Sequence, residues 1–64
     1  MGGDPFQRFA AHRFTDDDFD LLTDEEVSVL KMRRKHTPQS VALQLHMSVE
    51  TVHRRQRSIR DKLG

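Results

Sequence analysis

The chain has no cysteine, so neither a disulfide staple nor a thiolate zinc site is available to it. It has no apolar run long enough for a signal peptide or a membrane span, and its hydrophobic residues amount to only 34%. A cytoplasmic location is the resulting expectation. Sixty-four residues are close to the smallest size at which a core can fold without covalent or metal support. No strand pattern and no internal repeat is present. Catalysis needs converging acids, bases or nucleophiles, and the only dense constellation is Asp16-Asp17-Asp18 with Asp20. That tract begins like a calcium loop but lacks the glycine at the sixth position and the glutamate at the twelfth. Four histidines scattered without cysteine do not make a structural zinc site, so neither an enzyme nor a metal or other cofactor is expected.

What is present is charge, and it is divided. Residues 1–30 carry eight acids and two arginines, a sum of −6, whereas residues 31–64 carry nine bases and two acids, a sum of +7. Two explanations fit such a split: an anionic partner for the basic half, or mutual neutralisation of the halves in the folded chain.

Helix signals partition the chain. Asp4-Pro5 sets a capping acid before a first-turn proline, predicting a short helix near 5–13 with Phe6, Phe9, Ala10 and Arg13 at helical spacing. Thr15–Asp20 is a loop or a first helical turn. Thr23 and Glu26 form a capping box for a helix expected to reach Lys35, with Val27, Leu30 and Val29 inward and Lys31, Arg33, Arg34 and Lys35 near its negative end. Thr37-Pro38 opens a shorter helix with Val41, Ala42 and Leu45 buried, ending near His46. Ser48 caps a last, long helix whose Val52, Ile59 and Leu63 share one face, with His53, Arg54, Arg57 and Arg60 opposite. The expected fold is all-α, a small bundle of three or four helices with a helix-turn-helix motif. A helix with one apolar side and a row of arginine on the other has the form needed in a DNA major groove, where arginine pairs bidentately with guanine.

The segment Leu22–Gly64 resembles the LuxR/GerE-type helix-turn-helix. Leu22, Thr23, Glu26, Val29 and Leu30 match its first block, and Val41, Ala42, Leu45, Met47, Ser48, Thr51, Val52, Ile59, Lys62, Leu63 and Gly64 its second. Region 4 of sigma factors has a similar plan. This sequence departs in having Glu25 where the family usually has arginine, Ser28 where it has a second glutamate, and Arg55 where it commonly has histidine. Its first turn is one residue shorter, with Lys35-His36-Thr37-Pro38 in place of a glycine-containing link. The family continues past this point into a fourth helix, often a dimer interface, and this sequence stops at Gly64: either it is truncated there or another segment covers that helix's surface. The N-terminal segment 1–21 is therefore expected either to cover that surface with Phe6, Phe9, Phe14 and Phe19, or to be a tail with one or two of these docked.

The resemblance implies a DNA-binding transcription regulator in which His53, Arg54 and Arg57 contact bases of double-stranded DNA. It places Thr37, Gln39, Ser40, Thr51 and Arg55 on phosphates, and Arg33, Arg34 and Lys35 are further phosphate candidates or solvated surface. Such proteins usually read paired half-sites, which implies a homodimer. The alternative is a protein-interaction module that docks its acidic, Phe-bearing segment on a larger regulator or RNA polymerase. A third expectation links the two: the acidic segment lies over the basic helix and weakens DNA binding, so that removing residues 1–20 strengthens it.

Overall fold

A computed structural model describes residues 4–64, and within them the chain is all-α. Five helices follow one another: α1 (Pro5–Ala10), α2 (Asp16–Asp20), α3 (Asp24–Arg33), α4 (Pro38–Gln44) and α5 (Val49–Leu63). The fifth element beyond the expected number is the acidic tract. Thr15 accepts from the Asp18 amide while Asp18 returns a bond to the Thr15 amide at 3.0 Å, so the acids occupy the first turn of α2, where the helix dipole favours them.

Each of the other helices starts where its cap lies. Asp4 Oδ1 accepts from the amides of Phe6 and Gln7, both at 3.1 Å, and Pro5 fills the first position of α1. The Thr23 and Glu26 capping box forms, with the Thr23 amide donating to Glu26 Oε1 at 2.9 Å. Thr37 caps α4 through the Ser40 amide, and Ser48 caps α5 through the Thr51 amide. Two helices end earlier than expected: α1 at Ala10 rather than residue 13, and α3 at Arg33 rather than Lys35.

The link from α4 to α5 is a Schellman turn. The Met47 amide donates to the Ala42 carbonyl at 2.9 Å and the His46 amide to that of Leu43 at 3.4 Å. This closure requires a left-handed residue, and His46 supplies it with φ of 56° although glycine is the usual choice.

Helix α3 is the hub, packing against α1, α4 and α5, while α4 also packs on α5. Val29 and Leu30 from α3, Val41 and Ala42 from α4, and Val52 and Ile59 from α5 form the core with Leu22. Phe6 and Ala10 of α1 belong to the same core, and Phe9, Phe14 and Phe19 pack against it half-buried. The four rings run in a chain, with successive centroids 5.5, 5.3 and 6.3 Å apart. The phenylalanines thus pack on the molecule's own core, Phe6 buried and the other three half-buried, rather than standing in a free tail.

Two charged residues are buried inside α3. Glu26, Val29, Leu30 and Arg33 fall on one stripe with the spacing of a core-facing helix, and all four are inaccessible. Arg33, expected near the surface as a phosphate candidate, is instead held from three sides. It donates to Asp4 Oδ2 at 2.5 Å, Gln56 Oε1 at 2.6 Å and the His36 carbonyl at 2.7 Å. One side chain therefore ties the cap of α1, the middle of α5 and the turn after α3.

Candidate nucleic-acid interface

Helix α5 spans fifteen residues, a length of about 22 Å at 1.5 Å per residue. Val52 and Ile59 fix its rotation by facing the core, and this divides the remaining side chains among three sides.

The side toward α3 is ionically occupied. Arg55 pairs with Glu25. Lys62 donates to Glu26 Oε1 at 2.7 Å, and the Ser58 hydroxyl donates to Glu26 Oε2 at 2.5 Å. Burial pushes the Glu26 carboxyl up, but the bonds from Lys62, Ser58 and the Thr23 amide, with the Lys62 charge, outweigh it and hold the group at about 2. Arg55 is therefore a half-buried partner of α3, on the same side as Lys62 and turned away from Arg54 and Arg57. Glu25 and Arg55, two of the positions at which the sequence differs from the pattern it resembles, face one another as an ion pair.

The side toward α1 carries Arg60, whose guanidinium lies over the Phe9 ring at 4.5 Å. Nearby, the carboxyl of Asp4 is held below its usual range, chiefly by the bond from Arg33, with burial opposing and the Gln7 and Phe6 amides assisting.

The outward side brings together His53, Arg54 and Arg57, all exposed. Together with Glu50 they line a shallow surface depression. Among the described residues none of these three forms a side-chain hydrogen bond or an ion pair, whereas Arg33, Arg34, Arg55 and Lys62 all do. Arg34 is also taken inward, donating to the Ala10 carbonyl at 2.7 Å and so clamping the end of α1. Lys35 is exposed.

The remaining candidates lie at helix starts. Thr37 and Gln39 are exposed and Ser40 is half-buried at the beginning of α4, but the Thr37 hydroxyl already accepts from the Ser40 amide at 3.2 Å. The Ser40 hydroxyl accepts from Gln44 at 3.2 Å. Thr51 is half-buried, with its hydroxyl 2.9 Å from that of Ser48. The three residues expected to read bases thus share one free surface, while of the five expected on phosphates only Gln39 is exposed with no side-chain bond among the described residues.

Sequence reasoning missed Gln56 and the buried role of Arg33. The signal for Arg33 was present: it stands seven residues after Glu26 on the Val29/Leu30 stripe. Its partner Asp4, 29 residues away, had no local signature.

Comparison with protein families, with characterised proteins and with solved structures finds no match to this chain. No helix among the described residues is long and apolar enough to cross a membrane.

Proposed function

We propose that the protein is a DNA-binding transcription regulator of helix-turn-helix type, similar to LuxR/GerE domains, that lays α5 in the major groove of duplex DNA. The observation that carries this reading is the division of its basic residues. Those facing inward are satisfied by acids or carbonyls, while His53, Arg54 and Arg57 stand together on one exposed side of a long helix without partners among the described residues. Unpaired arginines on such a face are chemically matched to guanine O6 and N7, and His53 to a base or a phosphate. Gln39 and Lys35 supply the phosphate contacts that set register. A homodimer reading two half-sites fits the small number of base contacts one α5 offers.

The test is fluorescence anisotropy with a labelled mixed-sequence duplex at several salt concentrations, comparing the protein with its Arg54→Ala/Arg57→Ala variant. Binding is expected to weaken linearly in log–log salt plots, with a slope of about −0.9 per neutralised phosphate. The double variant is expected to lose roughly 1–3 kcal/mol for each bidentate contact on a preferred sequence. Absence of binding by the folded protein at low salt, or equal binding by the variant, refutes the reading.

A further inference from the structure

A cleft opens between the start of α1, the start of α4 and the middle of α5, with a volume of about 640 Å³. Small-molecule sites typically have about 300–1,000 Å³, so this is large for a chain of 64 residues. Its apolar lining is the rings of Pro5 and Pro38, with the edge of Phe6, whose ring is otherwise buried in the core. Its polar wall is α5, where Arg60 of the α1 side and His53 and Arg57 at the edge of the outward side line the opening.

The charge of the cleft can be counted. Arg33 at the floor and Asp4 beside it cancel as a 2.5 Å ion pair. Arg57 and Arg60 then face the single acid Asp61, leaving one positive charge among the arginines and acids of the lining. Arg60 is held in place by the Phe9 ring, whereas Arg57 has no side-chain partner among the described residues and is free to swing over a ligand. Gln56 adds a directed donor: Arg33 takes its amide oxygen at 2.6 Å, which fixes the side chain and leaves its NH2 group unbonded among the described residues.

We propose that this cleft binds a planar aromatic monocarboxylate, with the ring against Pro5 and Pro38 and the carboxylate on Arg57 and the Gln56 amide. Guanidinium groups pair carboxylates in a fork and stack on aromatic faces, so Arg57 and Arg60 suit both halves of such a ligand. The residual charge matches one anionic group, and a second would face Asp61 and Asp4. A bound ligand also covers His53 and Arg57, so it competes with DNA; this last consequence rests on the function proposed above.

The experiment is a heteronuclear NMR titration of the full chain with 2-naphthoate, and in parallel with neutral 2-naphthamide and with inorganic phosphate. Saturable shifts at the amides of Phe6, Gln56 and Arg57 with naphthoate are expected, at least tenfold weaker with the other two probes. Arg57→Gln, which changes an exposed side chain, is expected to weaken naphthoate roughly tenfold, the loss of one charge-assisted contact. No saturable shift overturns the site. Equal response to naphthamide overturns the carboxylate, equal response to phosphate overturns the aromatic ligand, and an unchanged Arg57→Gln affinity overturns the assigned contact. A DNA titration with saturating naphthoate separates the two readings. DNA binding without naphthoate shifts refutes the cleft alone. Naphthoate shifts without DNA binding support the cleft and refute the DNA reading. DNA affinity unaffected by bound naphthoate refutes the shared surface.

Discussion

Glu26 and Arg33 are the two charged residues buried in α3, and both are tolerated because their hydrogen-bonding capacity is used. No buried side-chain nitrogen or oxygen among the described residues lacks a partner. Arg33 needs its planar fork for this, since a lysine presents its donors from a single atom and cannot span Asp4, Gln56 and the His36 carbonyl in the same way. Glu26 makes a stability statement that can be tested. Its carboxyl lies at about 2 in the folded chain against an ordinary 4.5, so the charged form favours the fold. Stability from this group is fully present above pH 4.5 and is lost as the pH falls toward 2, because the unfolded chain binds the proton first. The difference is on the order of 3–4 kcal/mol, at about 1.4 kcal/mol per pKa unit for a drop from 4.5 to about 2. Asp4, also held below its ordinary range, adds to the loss in the acid region. Urea denaturation followed by circular dichroism from pH 7 to pH 2 is expected to show this decline. Glu26→Gln is expected to be less stable at neutral pH and to flatten the acid slope, whereas an unchanged slope locates the acid sensitivity elsewhere.

The turn between α4 and α5 sets the angle at which α5 is presented, and it depends on one residue in an unfavourable conformation. His46 has φ of 56°, a region that costs a side-chain-bearing residue about 1–2 kcal/mol and a β-branched one most. His46→Gly is expected to raise the midpoint of thermal unfolding slightly, and His46→Val to lower it by several degrees, as a loss of about 1 kcal/mol does in a domain this small. The reverse order overturns the left-handed assignment. This turn also shows what the sequence could and could not disclose. The starts of α1, α3, α4 and α5 were readable because each depends on a cap and amides within three residues: Asp4, Thr23, Thr37 and Ser48. The Schellman turn was not, since its usual glycine is absent and histidine takes the position. Clustered acids left Thr15–Asp20 open between a loop and a first helical turn, and the Thr15–Asp18 capping box makes it a five-residue helix. Three members of the outward row of α5, His53, Arg54 and Arg57, followed from periodicity, while the fourth, Arg60, turns to the Phe9 ring of α1. The inward turn of Arg55 did not follow from it, because it depends on Glu25, thirty residues earlier.

Across the whole molecule, the opposed charges of the two halves are partly joined. The three ion pairs among the described residues, Asp4 with Arg33, Glu25 with Arg55 and Glu26 with Lys62, each link an acid of the first half to a base of the second. Neutralisation is therefore real, yet it draws on the α3-facing side and the interior and leaves His53, Arg54 and Arg57 untouched. That arrangement changes what removal of the N-terminal segment should do. If the segment merely screened α5, deleting residues 1–20 would free a folded DNA-binding domain. Instead the deletion takes Phe6 and Ala10 out of the core and strips Phe9, Phe14 and Phe19 from its flank. It also leaves Arg33 buried without Asp4, and breaking such a pair costs about 3–5 kcal/mol when the other charge stays buried. A single phenylalanine removed from a core costs about 3–5 kcal/mol. Native stability is only about 0.05–0.15 kcal/mol per residue, so a chain of 64 residues cannot absorb these losses together. The variant lacking residues 1–20 is expected to show no cooperative thermal transition and collapsed amide dispersion in NMR. A folded truncated chain with tighter DNA binding would instead show that the segment acts as a removable cover.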